Sequence, residues 1–451
     1  MWSILYYLRN NPEKLRWSQR ARFEDENIID IAIELDNKWR KVKSEIDQMK
    51  HKLNIVSRKI PRLKDDEYKR AVKEARTLSN IIKQKEKLLS DLSLKREKVL
   101  RSIPNIIHES VPVGRDETEN QPIRYWGKPK VSKKFLDLFL KENGKYNVKY
   151  EVTDQKFIGH ADLVEQLGLA DVRKAGQVAG ARFFYLFTDL VLLEMALIRY
   201  AIDFLLRKGF ILVEPPFMLR RKPLEGVISF EDFEDMIYKI EKEDLYLIAT
   251  AEHPLAALHM NETIPKKDLP LLYAGISPCF RKEAGAHGKD TKGIFRVHQF
   301  IKIEQFVYSL PEESWKWHEK LIGYAEEIWR ELEIPYRIVN ICSGDLGAVA
   351  AKKYDLEVWM PAQGKYREMV SCSNTTDYQS YRLNIRYSVS RGGPSEGYVH
   401  TLNSTAIATT RALTAIIENY YVPEEKKIRV PKVLKGYLES YSDLLNVLVL
   451  D

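Results

Sequence analysis

Residues 28 to 60 carry an unbroken heptad. Apolar side chains fall at Ile28, Ala32, Leu35, Trp39, Val42, Ile46, Met49, Leu53, Val56 and Ile60, in steps of four and three. That spacing is the seam of a coiled coil, and it needs a partner helix. Pro61 stops the run and PRLKDD supplies a turn. A second seam follows at Ala71, Ala75, Leu78, Ile82, Leu89, Leu92, Val99 and Ile103, ending at Pro104. It skips Lys85 and Arg96, whose long stems are expected to snorkel. Two seams joined by a short turn predict an antiparallel hairpin over about 28–103, its arm roughly 50 Å long at about 1.5 Å per residue.

The outer faces of the arm hold Lys38, Arg40, Lys41, Lys43, Lys50, Lys52, Arg58, Lys59, Lys69, Arg70, Lys73 and Arg76 among interspersed acids. Periodicity alone leaves the partner open: a solvated coiled-coil surface, a protein and a polyanion all fit. The whole chain has 72 Lys and Arg against 64 Asp and Glu, a net charge of +8, which favours a polyanion only weakly. The length of 451 residues and 44% hydrophobic content suit two or three domains. Cys279, Cys342 and Cys372 are too few for a disulfide framework and lack paired metal-ligand spacing. No 18-residue apolar run exists, and MWSILYYLRN lacks the basic start and cleavage site of a signal peptide, so the expectation is a cytoplasmic protein with no membrane span.

Beyond the arm, 112–130 is rich in Pro, Gly and charge and reads as a linker. This divides the chain into an N-terminal unit, 1–115, and a second domain, 116–451. An apolar helix is expected over 183–208, stopped by Gly209, then FILVEPPFM as a strand entering two prolines. Short β-rich segments (LYLIAT, FRVHQFIKIEQFV, YRIVNIC, IRYSV) alternate with helices such as 312–333, and 404–421 reads as a closing helix. The expected class is α+β, around an antiparallel sheet with flanking helices.

The most informative segment is Phe280-Arg281-Lys282-Glu283, a Gly-rich loop AGAHGKDTKG, and the return strand FRVHQFIKIEQF. An arginine forks onto a phosphate in bidentate geometry. On alternating strand faces Arg281 shares a cleft with Glu283, and Phe300 with Glu304. An isolated Arg-x-Glu is most simply a surface ion pair. Here the pattern resembles motif 2 of the class II aminoacyl-tRNA synthetases. EPPFM is similar to their motif 1, with Pro216 as its proline, and LNSTAIATTRALTAIIENY to their motif 3, with Arg411 as its arginine. Thr250-Ala251-Glu252, REMVSCSN, TDYQS and HTLNST resemble the serine-specific branch in its archaeal form, and the likeness spans nearly the whole chain.

The resemblance implies a class II catalytic domain behind a tRNA-binding hairpin. It implies an ATP-dependent ligase that makes seryl-adenylate and loads tRNA(Ser), through the hairpin and the 284–293 loop with His287, Lys289 and Lys292. Arg281 and Arg411 are the implied catalytic cations. ATP would be met by Arg281, Lys282, Glu283, Val297, Phe300, Glu368, Met369, Val370, Ser371 and Arg411. L-serine would be met by Thr250, Ala251, Glu252, Arg281, Glu304, Asn403 and Thr405. Glu368 and Ser371 would hold Mg²⁺, a hard cation suited to oxygen ligands. Motif 1 implies a homodimer. A methanogen-type relative uses zinc; the cysteine positions here do not suggest that site, and no zinc is expected. Ser404 and Thr410 stand where many relatives have glycine, which bears on pocket shape rather than on charge. A relative that loads a carrier protein would lack the arm.

Overall fold

The computed structural model describes residues 2–230, 234–283 and 292–450. Contacts divide the chain into two compact units, meeting between Ile106 and Ile107. The first contains two short helices, Ser3–Asn10 and Pro12–Ala21, then the arm: α1 (Asn27–Lys59), a 3₁₀ turn at Ile60–Arg62 around Pro61, and α2 (Asp65–Ser102). Asp65, Asp66 and Glu67 occupy the first turn of α2, where carboxylates complement the helix dipole. The helices run antiparallel. The Trp39 indole donates to Ser93 Oγ (2.8 Å), Glu45 pairs with Lys85, and Lys50 with Glu86 (2.7 Å).

Of the two positions that break the second seam, Lys85 reaches outward as expected and Arg96 turns inward. Lys85 is tied to Glu45. Arg96 donates to the Asp36 carboxylate (2.8 Å) and lies over the Trp39 ring (4.9 Å). Asp36, with a side chain only 3% exposed, also accepts two hydrogen bonds from Arg9 at 2.8 and 2.9 Å. Burial pushes its carboxyl up, but the hydrogen bonds and charges of Arg9 and Arg96 outweigh that and hold it below the usual carboxylate range. The base of the arm is thus clamped by a buried three-residue ion network.

The second unit is built on an eight-stranded sheet. In chain order its strands are β1 (Gln121–Trp126), β2 (Ile211–Val213), β3 (Leu271–Phe280), β4 (Gln299–Ser309), β5 (Tyr336–Asn340), β6 (Lys352–Met360), β7 (Lys365–Thr376) and β8 (His400–Ala408). Their spatial order is β1-β5-β6-β7-β8-β4-β3-β2. Every pairing is antiparallel except that of β2 with β3. Three helices, α3 (Thr188–Arg207), α4 (Ser314–Glu331) and α5 (Thr409–Tyr420), share one apolar core with a single face of the sheet. Leu193, Leu197, Leu321, Trp329, Ala412 and Ile416 meet Ile303, Val307, Leu356, Val370, Cys372, Leu402 and Ala406 there. Because side chains alternate along a strand, the residues between these project from the opposite face.

Three sequence expectations are corrected. Residues 112–130 are not a linker: 121–126 form edge strand β1, where Pro122 is tolerated because an edge strand can spare a donor. The preceding stretch is stitched to the same unit by Ser343 N–H to Pro112 O (2.9 Å) and Gly344 N–H to Gly114 O (2.8 Å). The unit boundary therefore falls ahead of the expected 115/116 division. The helix expected over 404–421 begins only at Thr409; His400–Ala408 is a strand buried between β7 and β4, where two-sided sheet pairing overrides local alanine propensity. Finally, α3 begins at Thr188 rather than 183, and ends as expected, with Gly209 at φ +87° and its N–H on Leu206 O.

Candidate active site

The polar face of the sheet opens into a cleft of about 450 Å³. Strand alternation explains its lining: Ser371, Ser373 and Thr375 of β7, Asn403 and Thr405 of β8, and Phe300, Lys302 and Glu304 of β4 all face it. A β-bulge between Ile303 and Glu304 shifts the β4–β8 register and sets Glu304 opposite Thr405.

At one end of the cleft β3 stops at Phe280, and Arg281 follows it. The Arg281 N–H bonds His298 O (2.9 Å), its Nε donates to Ala249 O (3.3 Å), and its guanidinium lies 5.3 Å from the centre of the Phe300 ring. Glu283 adopts φ +52°, so strand alternation does not place it. It still lines a recess with Arg281, Val297, Phe300 and Arg411, beside Arg296 (3.6 Å). From α5, Arg411 Nη1 donates to Glu368 O and pairs with Glu368 Oε1, both at 3.0 Å. The Arg411 charge, stronger than the opposing burial, holds the Glu368 carboxyl well down. Asp355 stands opposite Ser371 across β6–β7; burial and then the Glu368 charge push its carboxyl well up. Among the described residues its Oδ1 is buried without a hydrogen-bond partner.

At the other end, Thr250 Oγ1 accepts the Glu252 N–H (3.1 Å) at the start of the helix Glu252–Ala257. Glu304, 1% exposed, is ion-paired with the buried Lys302. Glu252 faces the same space; burial and then the Glu304 charge push its carboxyl up to about 7. His253 is driven down to about 3 by burial and by the Lys302 and Arg281 charges, so it is neutral at physiological pH.

The structure brings together Thr250, Glu252, Arg281, Phe300, Glu304, Glu368, Met369, Ser371, Asn403, Thr405 and Arg411 in this cleft. Three expected side chains are elsewhere. Ala251 is wholly buried in the apolar cluster beside Gly275, where a Cβ on the glycine would lie 2.8 Å from that of Ala251. Val370 is the inward-facing residue of β7 and sits in the main core. Lys282 is exposed, its N–H on Met236 O (2.9 Å) and its ammonium toward the Tyr238 ring. Ala251 and Val370 can meet the cleft only through backbone. Sequence reading assigned nothing to Lys302, Arg296, Lys353, Asp355 or Gln379. Lys302 was detectable as the residue two before Glu304 on the same strand face. His287 and Lys289 lie outside the described residues; Lys292 and Gly293 end the loop within them.

An antiparallel sheet with one arginine at a strand end, a second from the closing helix and an aromatic ring between is the core of a class II aminoacyl-tRNA synthetase. Residues 235–420 match the model of the tRNA synthetase class II core domain (G, H, P, S and T), and residues 5–107 that of the seryl-tRNA synthetase N-terminal domain. The chain belongs to the seryl-tRNA synthetases. It is 60% identical to a serine–tRNA ligase of Archaeoglobus fulgidus over 97% of this chain and 96% of that one. It is 59% identical to that of Staphylothermus marinus over 98% and 96%. Among solved structures it is similar to seryl-tRNA synthetase from Pyrococcus horikoshii complexed with ATP (TM-score 0.92, 52% identity, 96% and 98% covered). It is also similar to the cytoplasmic serine–tRNA ligase of Naegleria fowleri in complex with AMP (TM-score 0.83, 40% identity, 95% and 94% covered).

Proposed function

We propose that this cleft joins L-serine to ATP and passes the serine to the 3′ end of tRNA(Ser), with Arg281 and Arg411 as the catalytic cations. In the first step a serine carboxylate oxygen bonds to the α-phosphorus of ATP while the bond to the bridging oxygen breaks and pyrophosphate leaves. The nucleophile is already an anion, so no general base is needed. The barrier lies in bringing anions together and spreading charge over phosphoryl oxygens. Arg281 meets the α-phosphate and Arg411 the γ-phosphate; Phe300 stacks on the adenine and Glu283 takes its amino edge, with Val297 beside it. In the second step a terminal ribose hydroxyl attacks the activated carbonyl and AMP leaves.

Glu368 and Ser371, with the unpartnered Asp355 oxygen beside them, are a hard-oxygen set that fits Mg²⁺. When bound, that ion would neutralise phosphate charge. Among the described residues no cluster of three or more His, Cys, Asp or Glu is placed to hold a metal.

Glu252 takes the serine ammonium and Glu304 accepts its hydroxyl, with Thr250, Asn403 and Thr405 closing the pocket. A site built around a hydroxyl rejects alanine because the analogue leaves buried polar groups unpaired. The basic arm and the 284–293 loop supply the tRNA contacts, mainly to phosphates. Pairing as a homodimer is supported by an exposed apolar surface on and next to α3: Phe187, Val191, Met195 and Leu206, continuing to Ile211 and Leu212 on edge strand β2. Among the described residues no helix is long and apolar enough to cross a membrane. The reading carries with it a cytoplasmic location, where charged tRNA is consumed.

The observation that carries this reading is the convergence of Arg281, Arg411 and Phe300 with the Glu252–Glu304 pair in one cleft. Arg281→Ala is expected to cut serine-dependent ATP–pyrophosphate exchange by at least about 10³-fold, as loss of a preorganised transition-state cation does. Exchange within tenfold of wild type would displace the assigned site.

A further inference from the structure

Gln379, at the start of the short helix Tyr378–Leu383, is wholly buried and lies outside the cleft lining. Its amide is oriented by every partner it has. Nε2 donates to Glu252 Oε1 (2.8 Å) and toward Val227 O (3.3 Å). Oε1 accepts the Thr401 hydroxyl (2.8 Å) and, more weakly, the Thr375 hydroxyl (3.3 Å), and the two threonine hydroxyl oxygens lie 2.6 Å apart. Turning the amide over would set its oxygen against a carboxylate and a carbonyl, so the orientation is fixed. The donors then run from the Thr401 hydroxyl to Gln379 to Glu252, and the Thr375 hydroxyl packs behind Thr401, bonding its backbone O (2.8 Å). Thr375, Thr401 and Gln379 are each at most 1% exposed. A fully satisfied buried chain of this kind polarises cooperatively toward its terminal acceptor.

We propose that Gln379, backed by Thr401 and Thr375, is a positioning residue for serine recognition that holds Glu252 ionised and aimed at the amino group of the substrate. This rests on the reading of Glu252 as the ammonium partner. The need for such a device is visible in the surroundings. Burial disfavours the Glu252 charge, and the Glu304 carboxylate in the same space adds repulsion. Lys302 and Arg281 face it as cations, but Lys302 is ion-paired to Glu304 and Arg281 is turned toward Ala249 and Phe300. The neighbouring His253 is neutral. A donor that remains in place whether or not phosphate occupies Arg281 keeps the carboxylate available. Gln379 also grips Val227 O at the end of the helix Arg221–Val227, so one amide couples the carboxylate to a wall of the cleft.

The test is serine-dependent ATP–pyrophosphate exchange by the full-length protein across pH, for wild type, Gln379→Leu, Thr401→Val and Glu252→Gln. Glu252 titrates near 7, so kcat/KM for serine falls on the acid side in wild type. Losing a buried hydrogen bond to a charge is worth about tenfold or more, so Gln379→Leu should raise KM for serine about tenfold at neutral pH and move the acid limb up by about one pH unit. KM for ATP should stay within about twofold, because uniform loss of one substrate's contacts moves only that substrate. Thr401→Val should give a smaller shift of the same sign. A mere packing defect would lower kcat or raise both KM values without moving the limb, and that outcome would overturn the proposal. Glu252→Gln separates the two layers. If it leaves KM for serine unchanged, the reading of Glu252 is wrong. If it raises KM while Gln379→Leu leaves the acid limb in place, only the positioning role of Gln379 is refuted.

Discussion

The arm and the catalytic cleft both depend on charge, and they deploy it in opposite ways. Along the arm the cations are exposed and numerous; Lys38, Lys50 and Lys69 sit in solvent beside Glu34, Glu86 and Asp66. Such charges are screened and individually weak, and on the proposed reading they act through their sum along a polyanion. In the cleft the charges are few and buried or half-buried, and each alters its neighbours: Arg411 pulls Glu368 down, and Glu304 helps push Glu252 up. The difference teaches where single substitutions speak. In the cleft one residue decides the chemistry; on the arm only wholesale change, or failure of the clamp at its base, is expected to register.

The most severe way to break the comparison is to shorten the arm. Replacing residues 46–84 with a short glycine-serine turn keeps the Arg9–Asp36–Arg96 clamp and removes the outer two thirds of the basic set, from Lys50 to Arg76. Exchange should stay within about twofold while tRNA charging falls at least about 10²-fold, since several phosphate contacts go together. Unchanged charging would refute the antenna role.

A smaller effect is expected from Asp36→Ala, measured by thermal unfolding and by tRNA charging. Removing one partner of a buried ion network leaves Arg9 and Arg96 uncompensated and should cost the first unit about 3 kcal/mol. Because the Asp36 carboxyl is depressed in the folded chain, its contribution is present above its unfolded value and is lost as pH falls through the lower folded value. A transition insensitive to both the substitution and acid would mean the clamp is decorative.

Legibility in the sequence follows the same divide. The arm was legible because heptad period is a local signal: α1 spans Asn27–Lys59 against a seam read over 28–60. Asp36 was not, because a buried acid off the seam acquires meaning only from Arg9 and Arg96, distant in sequence. In the cleft, motif resemblance named the residues, and strand alternation explains why Ser371 faces the cleft while Val370 joins the core. It could not place Glu283, whose positive φ leaves the strand pattern, nor β8, whose alanines mimic a helix. Gln379 stood in a recognised segment without a role, because its partners Glu252 and Thr401 come from two other elements.

The central claim is that the Glu252–Glu304 pocket selects serine for the phosphate-binding arginines beside it. The most direct measurement is amino-acid-dependent ATP–pyrophosphate exchange by the wild-type protein with serine, threonine, alanine and cysteine in parallel. Serine should support exchange with a kcat/KM at least about 10²-fold above the other three, as expected when buried polar groups are matched by one substrate hydroxyl. Equal or greater exchange with alanine or threonine, or none with serine, would contradict it.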